Sequence, residues 1–232
     1  MKEIKLEEKE RENLKIDKNQ SNIEVVVNEI KVWKDLDHPN IIKYYTSFIE
    51  KDNVYIVMEL VEGMNLAEYL INLKEKVILI KKYNKFKYNL IKGSKTKDKD
   101  IIKIIIDILC ALKYLHNEKH IHYRDANPHN IMLDNNFNVK LGDFGLAKKF
   151  SKEGEISNNI NSAFQGSILY SSPEVVNNQQ YTDKSDIWSF GCIIYELISS
   201  TPPFSGDNLL TVASNIASLN YKKLTNECNP VS

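Results

Sequence analysis

Apolar residues recur along the chain with two different periods, and the change of period marks its elements. From Ile23 to Leu36 they fall at Ile23, Val26, Val27, Ile30, Trp33 and Leu36, steps that gather on one face of a helix. Asp37-His38-Pro39-Asn40 is the stop signal. Two strand-like runs follow, Ile41 to Ile49 and Val54 to Leu60, with Lys51-Asp52-Asn53 as a tight turn between them. Met1 to Leu6 is a third strand-like stretch. Beyond Gly63, Leu66 to Leu73 predicts a short helix and Ile101 to His116 a strongly amphipathic one. Ile131-Met132-Leu133 and Val139-Lys140-Leu141 flank Asp134-Asn135-Asn136, a second hairpin signal. Ser185 to Leu197 is helical again, Pro202 and Pro203 end it, and Asn208 to Leu219 forms a last helix. Strands early and helices late predict an α+β chain, a small sheet-containing lobe followed by a mostly helical one.

Composition refines this picture only locally. The 232 residues, 42% of them hydrophobic, suffice for one large domain in two lobes. Lys+Arg and Asp+Glu each total 31, so net charge selects no polyanionic partner, and neither nucleic acid nor membrane is expected. Between Lys74 and Asp100, however, ten lysines face only Glu75, Asp98 and Asp100. That run reads as a surface insertion or as a basic docking patch for something acidic. Glu7 to Ser21 is almost free of apolar residues and reads as a solvated loop. No run approaches the ~20 apolar residues needed to span a bilayer. Three scattered cysteines suit reduced thiols in the cytoplasm; Cys110 and Cys192, inside apolar helical patterns, are expected in the core.

The chemistry lies in Tyr123-Arg124-Asp125-Ala126-Asn127-Pro128-His129-Asn130, followed by Asp143-Phe144-Gly145. Phosphoryl transfer asks a protein to position a phosphate, neutralise its charge with metal and align the attacking hydroxyl. A loop carboxylate with a carboxamide five residues on meets two of those needs, and a second carboxylate bridges metal to phosphate through hard oxygen ligands. These segments resemble the H-R-D-x-x-x-x-N catalytic loop and the D-F-G motif of protein kinases. The wider phrases HPNIIKYYTSF, VYIVMELVEG, NIMLDNNFNVKLGDFGLAK and GSILYSSPEVV are similar to the NIMA-related (Nek) serine/threonine kinases, most of all to their long divergent member.

The resemblance implies a two-lobed kinase fold with ATP and Mg²⁺ between the lobes, residues 1–61 forming the small lobe to the hinge and 62–232 the large lobe with an insertion at about 74–100. It implies a protein substrate phosphorylated on Ser or Thr. Asp125 would be the catalytic base beside Arg124, Asn130 and Asp143 the magnesium ligands, and Lys2 the phosphate-binding lysine paired with Glu29. Met58 would be the gatekeeper, with Glu59 and Val61 at the adenine edge. Ser162 and Ser167 would lie in the activation segment that Ser172-Pro173-Glu174 closes. Asp186-Ile187-Trp188-Ser189-Phe190-Gly191 is similar to the helix that anchors the large lobe. By family analogy the setting is cytoplasmic, extending to cytoskeleton or cilium.

Some features depart from the pattern. Tyr123 replaces the usual His, and Asn127 stands where a lysine contacts the γ-phosphate; losing that cation is expected to weaken transition-state charge stabilisation. Ala163 occupies a site where many relatives carry a phosphorylatable hydroxyl. Only Met1 precedes Lys2, where the family places a Gly-rich loop, and the chain stops before the family's last helices. A chain cut short at both ends is therefore expected, with Glu174 deprived of its arginine partner. Two functions stay open, an active kinase and a scaffold that keeps the fold without turnover. A small-molecule phosphotransferase is a minor third.

Overall fold

The computed structural model describes residues 2–5, 26–50, 53–83, 95–150 and 168–224. Strands β1 (Lys2–Lys5), β2 (Tyr44–Glu50) and β3 (Asn53–Met58) form one antiparallel sheet with β3 in the middle. Val54 and Ile56 are buried while Asn53, Tyr55 and Val57 are partly exposed, the period of two that turns one sheet face inward. Lys2 is opposite Ile56, and Tyr44 is opposite Met58. Lys51 and Asp52 of the expected turn lie outside the described residues.

Helix α1 (26–33) packs on this sheet. Val26, Glu29, Val32 and Trp33 are buried, while Val27 is 41% exposed, so among the described apolar positions of the stripe Val27 faces water; Ile23 lies outside the described residues. The indole N–H of Trp33 donates to the Ile42 carbonyl at 2.6 Å, which fixes the end of α1 to the chain entering β2.

A second sheet is formed by β4 (Gly63–Asn65), which pairs with β6 (Ile131–Asp134), itself paired with β7 (Val139–Leu141). Helix α2 spans Leu66–Tyr83, ten residues past the expected end at Leu73. Asn65 and Glu68 cap it reciprocally, side chain to backbone at 2.9 and 3.1 Å, and the Lys-rich continuation, free of Gly and Pro, carries the helix on. The basic run thus supplies a helix extension, and Lys74 is committed to the buried Glu196 at 3.2 Å. Helix α3 (Lys95–Lys113) starts six residues before Ile101 and passes into a π-helical turn at Tyr114–Glu118. Strands β5 (Ile121–His122) and β8 (Lys148–Lys149) pair beneath it.

Helices α4 (Pro173–Val176), α5 (Asp183–Ser199) and α6 (Leu209–Ala217) complete the body. α5 starts with a capping box between Thr182 and Ser185. Its buried Phe190, Ile193 and Leu197 face the core. Among the described residues, no helix is long and apolar enough to cross a membrane.

One expectation about the core is corrected. Ile101, Ile104, Ile108, Ala111 and Leu112 are the buried positions of α3, which turns Cys110 to the exposed side together with Ile106 and Leu109. Cys192 is buried as expected, and its burial, reinforced by the nearby Glu196, lifts the thiol to about 12. Cys228 lies outside the described residues. At pH 8 only about one Cys192 in ten thousand is thiolate, so site-resolved alkylation is expected to modify Cys110 in minutes and leave Cys192 intact until urea unfolds the chain.

Gly63 stands where backbone of the neighbouring strand leaves no room for a side chain. A Cβ placed there would sit 1.9 Å from the Leu133 carbonyl oxygen across the β4–β6 ladder. Gly63→Ala is therefore expected to cost about 1–3 kcal/mol, as overpacking does, read as a lower urea midpoint with unchanged slope.

Candidate active site

A buried carboxylate organises the site from below. Asp186, fully buried near the start of α5, accepts the backbone N–H groups of Tyr123 and Arg124, each at 2.9 Å. The His116 ring lies 2.7 Å from the same carboxylate, and the Tyr181 hydroxyl donates to it. These contacts hold Arg124 at φ 68°, a left-handed conformation that costs a non-glycine residue energy and persists only when its surroundings impose it. The Arg124 guanidinium lies 5.2 Å over the Tyr181 ring.

The residue after Arg124 is held from both sides. The two carboxylate oxygens of Asp125 each receive an amide donor. Asn130 Nδ2 donates to Oδ2 at 2.8 Å, and Asn127 Nδ2 donates to Oδ1 at 2.9 Å. The 3₁₀ turn Pro128–Asn130 makes this geometry: Asn127 caps it, and Pro128 at its first position presets the backbone. Burial lifts the Asp125 pKa above the usual carboxylate value, against the opposing pull of those two amides. The Asp143 charge adds to the rise and the Lys2 charge opposes it.

Asp143 arrives from the other strand of the hairpin. Gly142 N–H donates to the Asn130 carbonyl at 2.9 Å, and the buried Tyr123 hydroxyl donates to the Gly142 carbonyl. Asp143 itself sits at φ 52°, its Oδ1 accepting from Gly145 N–H at 3.2 Å. Phe144 is fully buried between Trp33, at 5.6 Å, and Tyr123, at 5.4 Å.

The small lobe meets this arrangement through Lys2. Its ammonium lies 2.8 Å from Glu29 and 3.4 Å from Asp143. Burial alone would draw Lys2 down, but the two carboxylates more than offset it and its pKa ends above the ordinary lysine value. For Glu29, burial dominates and raises the carboxyl, with Lys2 opposing. Asn28, next to Glu29, donates to the Ala147 carbonyl at 3.0 Å, so α1 also grips the segment after Asp143.

Met58 ends β3, Glu59 and Val61 follow it, and all three are partly buried. The Glu59 N–H is taken by the Lys43 carbonyl at 2.8 Å, and its carboxylate pairs with Lys140 at 2.6 Å. Ser162 and Ser167 lie outside the described residues. Glu174, expected to lack its arginine partner, accepts a hydrogen bond from the Ser185 hydroxyl.

The structure thus places Asp125 and Asn130 in direct contact and joins Asp143, Lys2 and Glu29 in one chain of ion pairs. Sequence reasoning gave Asn127 only a missing cation, and it passed over His116 and Tyr181. The local signal for Asn127 was its place before Pro128, a capping position; the other two contacts depend on tertiary approach. The donor set fits a magnesium nucleotide. Asn130 spends its amide nitrogen on Asp125, which leaves its oxygen as a hard ligand. Asp143 is a carboxylate with 42% of its side chain exposed, and Lys2 is a cation beside it.

The sequence profile of the protein kinase domain matches residues 1–230. The chain is 38% identical over 203 residues to serine/threonine-protein kinase Nek10 of Mus musculus, covering 87% of this chain and 16% of that protein. It is 32% identical over 208 residues to serine/threonine-protein kinase Nek2 of Homo sapiens (87% and 42%), and 33% identical over 190 residues to serine/threonine-protein kinase Nek1 of Mus musculus (82% and 14%). The chain spans less than half the length of each of these relatives.

Asp186→Ala would leave its buried donors without their shared acceptor. The expected loss is about 3–5 kcal/mol, as when one partner of a buried charged cluster is removed. Urea unfolding checks it, with the exposed Glu75→Ala expected to move stability by less than about 0.5 kcal/mol.

Proposed function

Because the chain belongs to the protein kinase family, we propose that it transfers the γ-phosphoryl group of Mg·ATP to serine and threonine hydroxyls of a protein substrate. The observation that carries this reading is the held Asp125 carboxylate beside Asn130, with Asp143, Lys2 and Glu29 linked by ion pairs and the Asp143 and Lys2 charges acting on Asp125. Residues 1–61 are read as the small lobe to the hinge and 62–232 as the large lobe.

Each residue has a distinct task. Asp125 aligns the substrate hydroxyl and accepts its proton. Asn130, through its amide oxygen, and Asp143 hold the magnesium. Lys2 holds phosphate oxygens, and Glu29 keeps that ammonium from collapsing fully onto Asp143. Met58 bounds the back of the adenine pocket; the Glu59 carbonyl and Val61 N–H face the adenine edge, since the Glu59 N–H is already spent on Lys43. Arg124 orients the base through its backbone and presents a cation toward the activation segment, to which Ser162, Ser167 and Glu174 are assigned. When bound, Mg·ATP supplies the phosphoryl group and the metal charge that stabilises its transfer.

A scaffold role without turnover draws on one observation, the neutral Asn127 where a lysine is expected. The retained Asp125, Asn130, Asp143, Lys2 and Glu29 weigh against it, because a scaffold has no use for an aligned base. The cytoplasm is the proposed setting. A docking partner at the basic run would use residues after Lys74, which is already paired.

Radiolabel from γ-labelled ATP is expected to appear on serine and threonine of an acceptor protein with Mg²⁺ present and to vanish with EDTA. Asp125→Asn should lower kcat by about 10²–10⁴-fold, the usual contribution of general acid–base catalysis, and Asp143→Ala should abolish transfer. Equal label in the wild type and Asp143→Ala would refute the proposal.

A further inference from the structure

Asn127 uses both ends of its amide inside the loop. Its Oδ1 accepts the His129 N–H at 3.0 Å, which caps the 3₁₀ turn bearing Asn130. Its Nδ2 donates to Asp125 Oδ1 at 2.9 Å and to the Asp125 carbonyl at 3.2 Å. The reversed amide would set N–H against N–H and oxygen against carboxylate, so the contacts themselves fix its orientation. Asn130 makes the matching pair from the other side, to Oδ2 at 2.8 Å and to the same carbonyl at 3.0 Å.

The two amides differ in what they leave over. Asn130 keeps a free oxygen, whereas Asn127 has spent both its donor and its acceptor on the protein. We propose that Asn127 is a positioning residue, which with Asn130 clamps the Asp125 carboxylate between two amides and fixes the plane in which it meets the substrate hydroxyl. This rests on the transferase reading above. The clamp replaces what a lysine at this position would give, a donor to the base combined with a charge for the phosphate. It keeps the first and gives up the second. Rotation of the Asp125 carboxylate would break a bond on each side, so the lone pairs left over point in one direction.

Three substitutions separate positioning from folding. Asn127→Asp can still accept the His129 N–H and so retains the turn cap, but it cannot donate to Asp125. Asn127→Ala loses both contacts. Asn127→Lys restores a donor and adds a charge. Asn127→Asp and Asn127→Ala are expected to lower kcat by about 10- to 100-fold, the scale of one hydrogen bond to a charged group, with KM for Mg·ATP within about twofold of wild type. Asn127→Lys is expected to keep at least the wild-type kcat. A wild-type kcat in Asn127→Asp or Asn127→Ala overturns the proposal.

A second measurement needs no turnover. In ¹H–¹⁵N spectra the Asn127 side-chain amide, identified by its loss in Asn127→Asp, should shift and exchange faster in Asp125→Ala. A resonance that stays in place in Asp125→Ala overturns the clamp whatever the activity. A wild-type chain that shows the shift but transfers no phosphate supports the clamp and refutes the transferase reading instead.

Discussion

A loop that presents a carboxylate to a cleft must hold its backbone where an L-residue does not rest. Here the holding is done by Asp186, a charge taken wholly out of water at the start of α5. Burying an anion is costly unless donors converge on it, and this one receives two backbone N–H groups, from Tyr123 and from Arg124, the residue that bends. The dependence is mutual. The strained turn at Arg124 supplies the donors that make the buried charge tolerable, and the charge makes the turn tolerable. Asp125 owes its direction to this exchange.

The second half of the site is coupled to the first by aromatic packing more than by charge. Phe144 is wedged between Trp33 of α1 and Tyr123 of the loop, and Tyr123 also stacks on Phe190 of α5 at 6.2 Å. A rotation of α1 that withdrew Glu29 from Lys2 would drag Trp33 off Phe144. Asp143, the residue before Phe144, would then lose its place beside Lys2. Because close-packed contacts are bistable rather than continuously deformable, the position of α1 and the position of Asp143 belong to a single state of the molecule.

Much of this was legible in the sequence where short-range rules govern it. The hairpin between Ile131 and Leu141 and the buried stripe of α1 follow from turn residues and spacing. The elements that ran long, α2 past Leu73 and α3 back to Lys95, did so because a lysine run with good helix propensity carries no stop signal before Tyr83. Cys110 was misplaced for a related reason: α3 is apolar on more than one face, so apolar neighbours did not determine which side turned inward. The pairing of Lys2 with Glu29 was readable only through family resemblance, as the two lie 27 residues apart. Asn127 shows the opposite failing. Comparison with the family pattern marked what it lacks, a positive charge, and hid what an amide can do that an ammonium cannot, which is to accept and donate at once.

That difference bears on how charge is balanced across the cleft. An ammonium beside the base would neutralise part of the Asp125 charge and could follow the phosphate as it moves. A neutral amide does neither, so the Asp143 charge acts on Asp125 with no cation at position 127 to offset it, and ionising Asp125 costs more. Lys2 and a bound metal are then the nearby cations able to offset the pair. It follows that the arrangement of Asp125 and Asp143 is most stable when a cation sits between them and the phosphates. Nucleotide, metal and the α1 position that delivers Lys2 should therefore favour one another: a site short of one fixed positive charge is more dependent on the mobile ones.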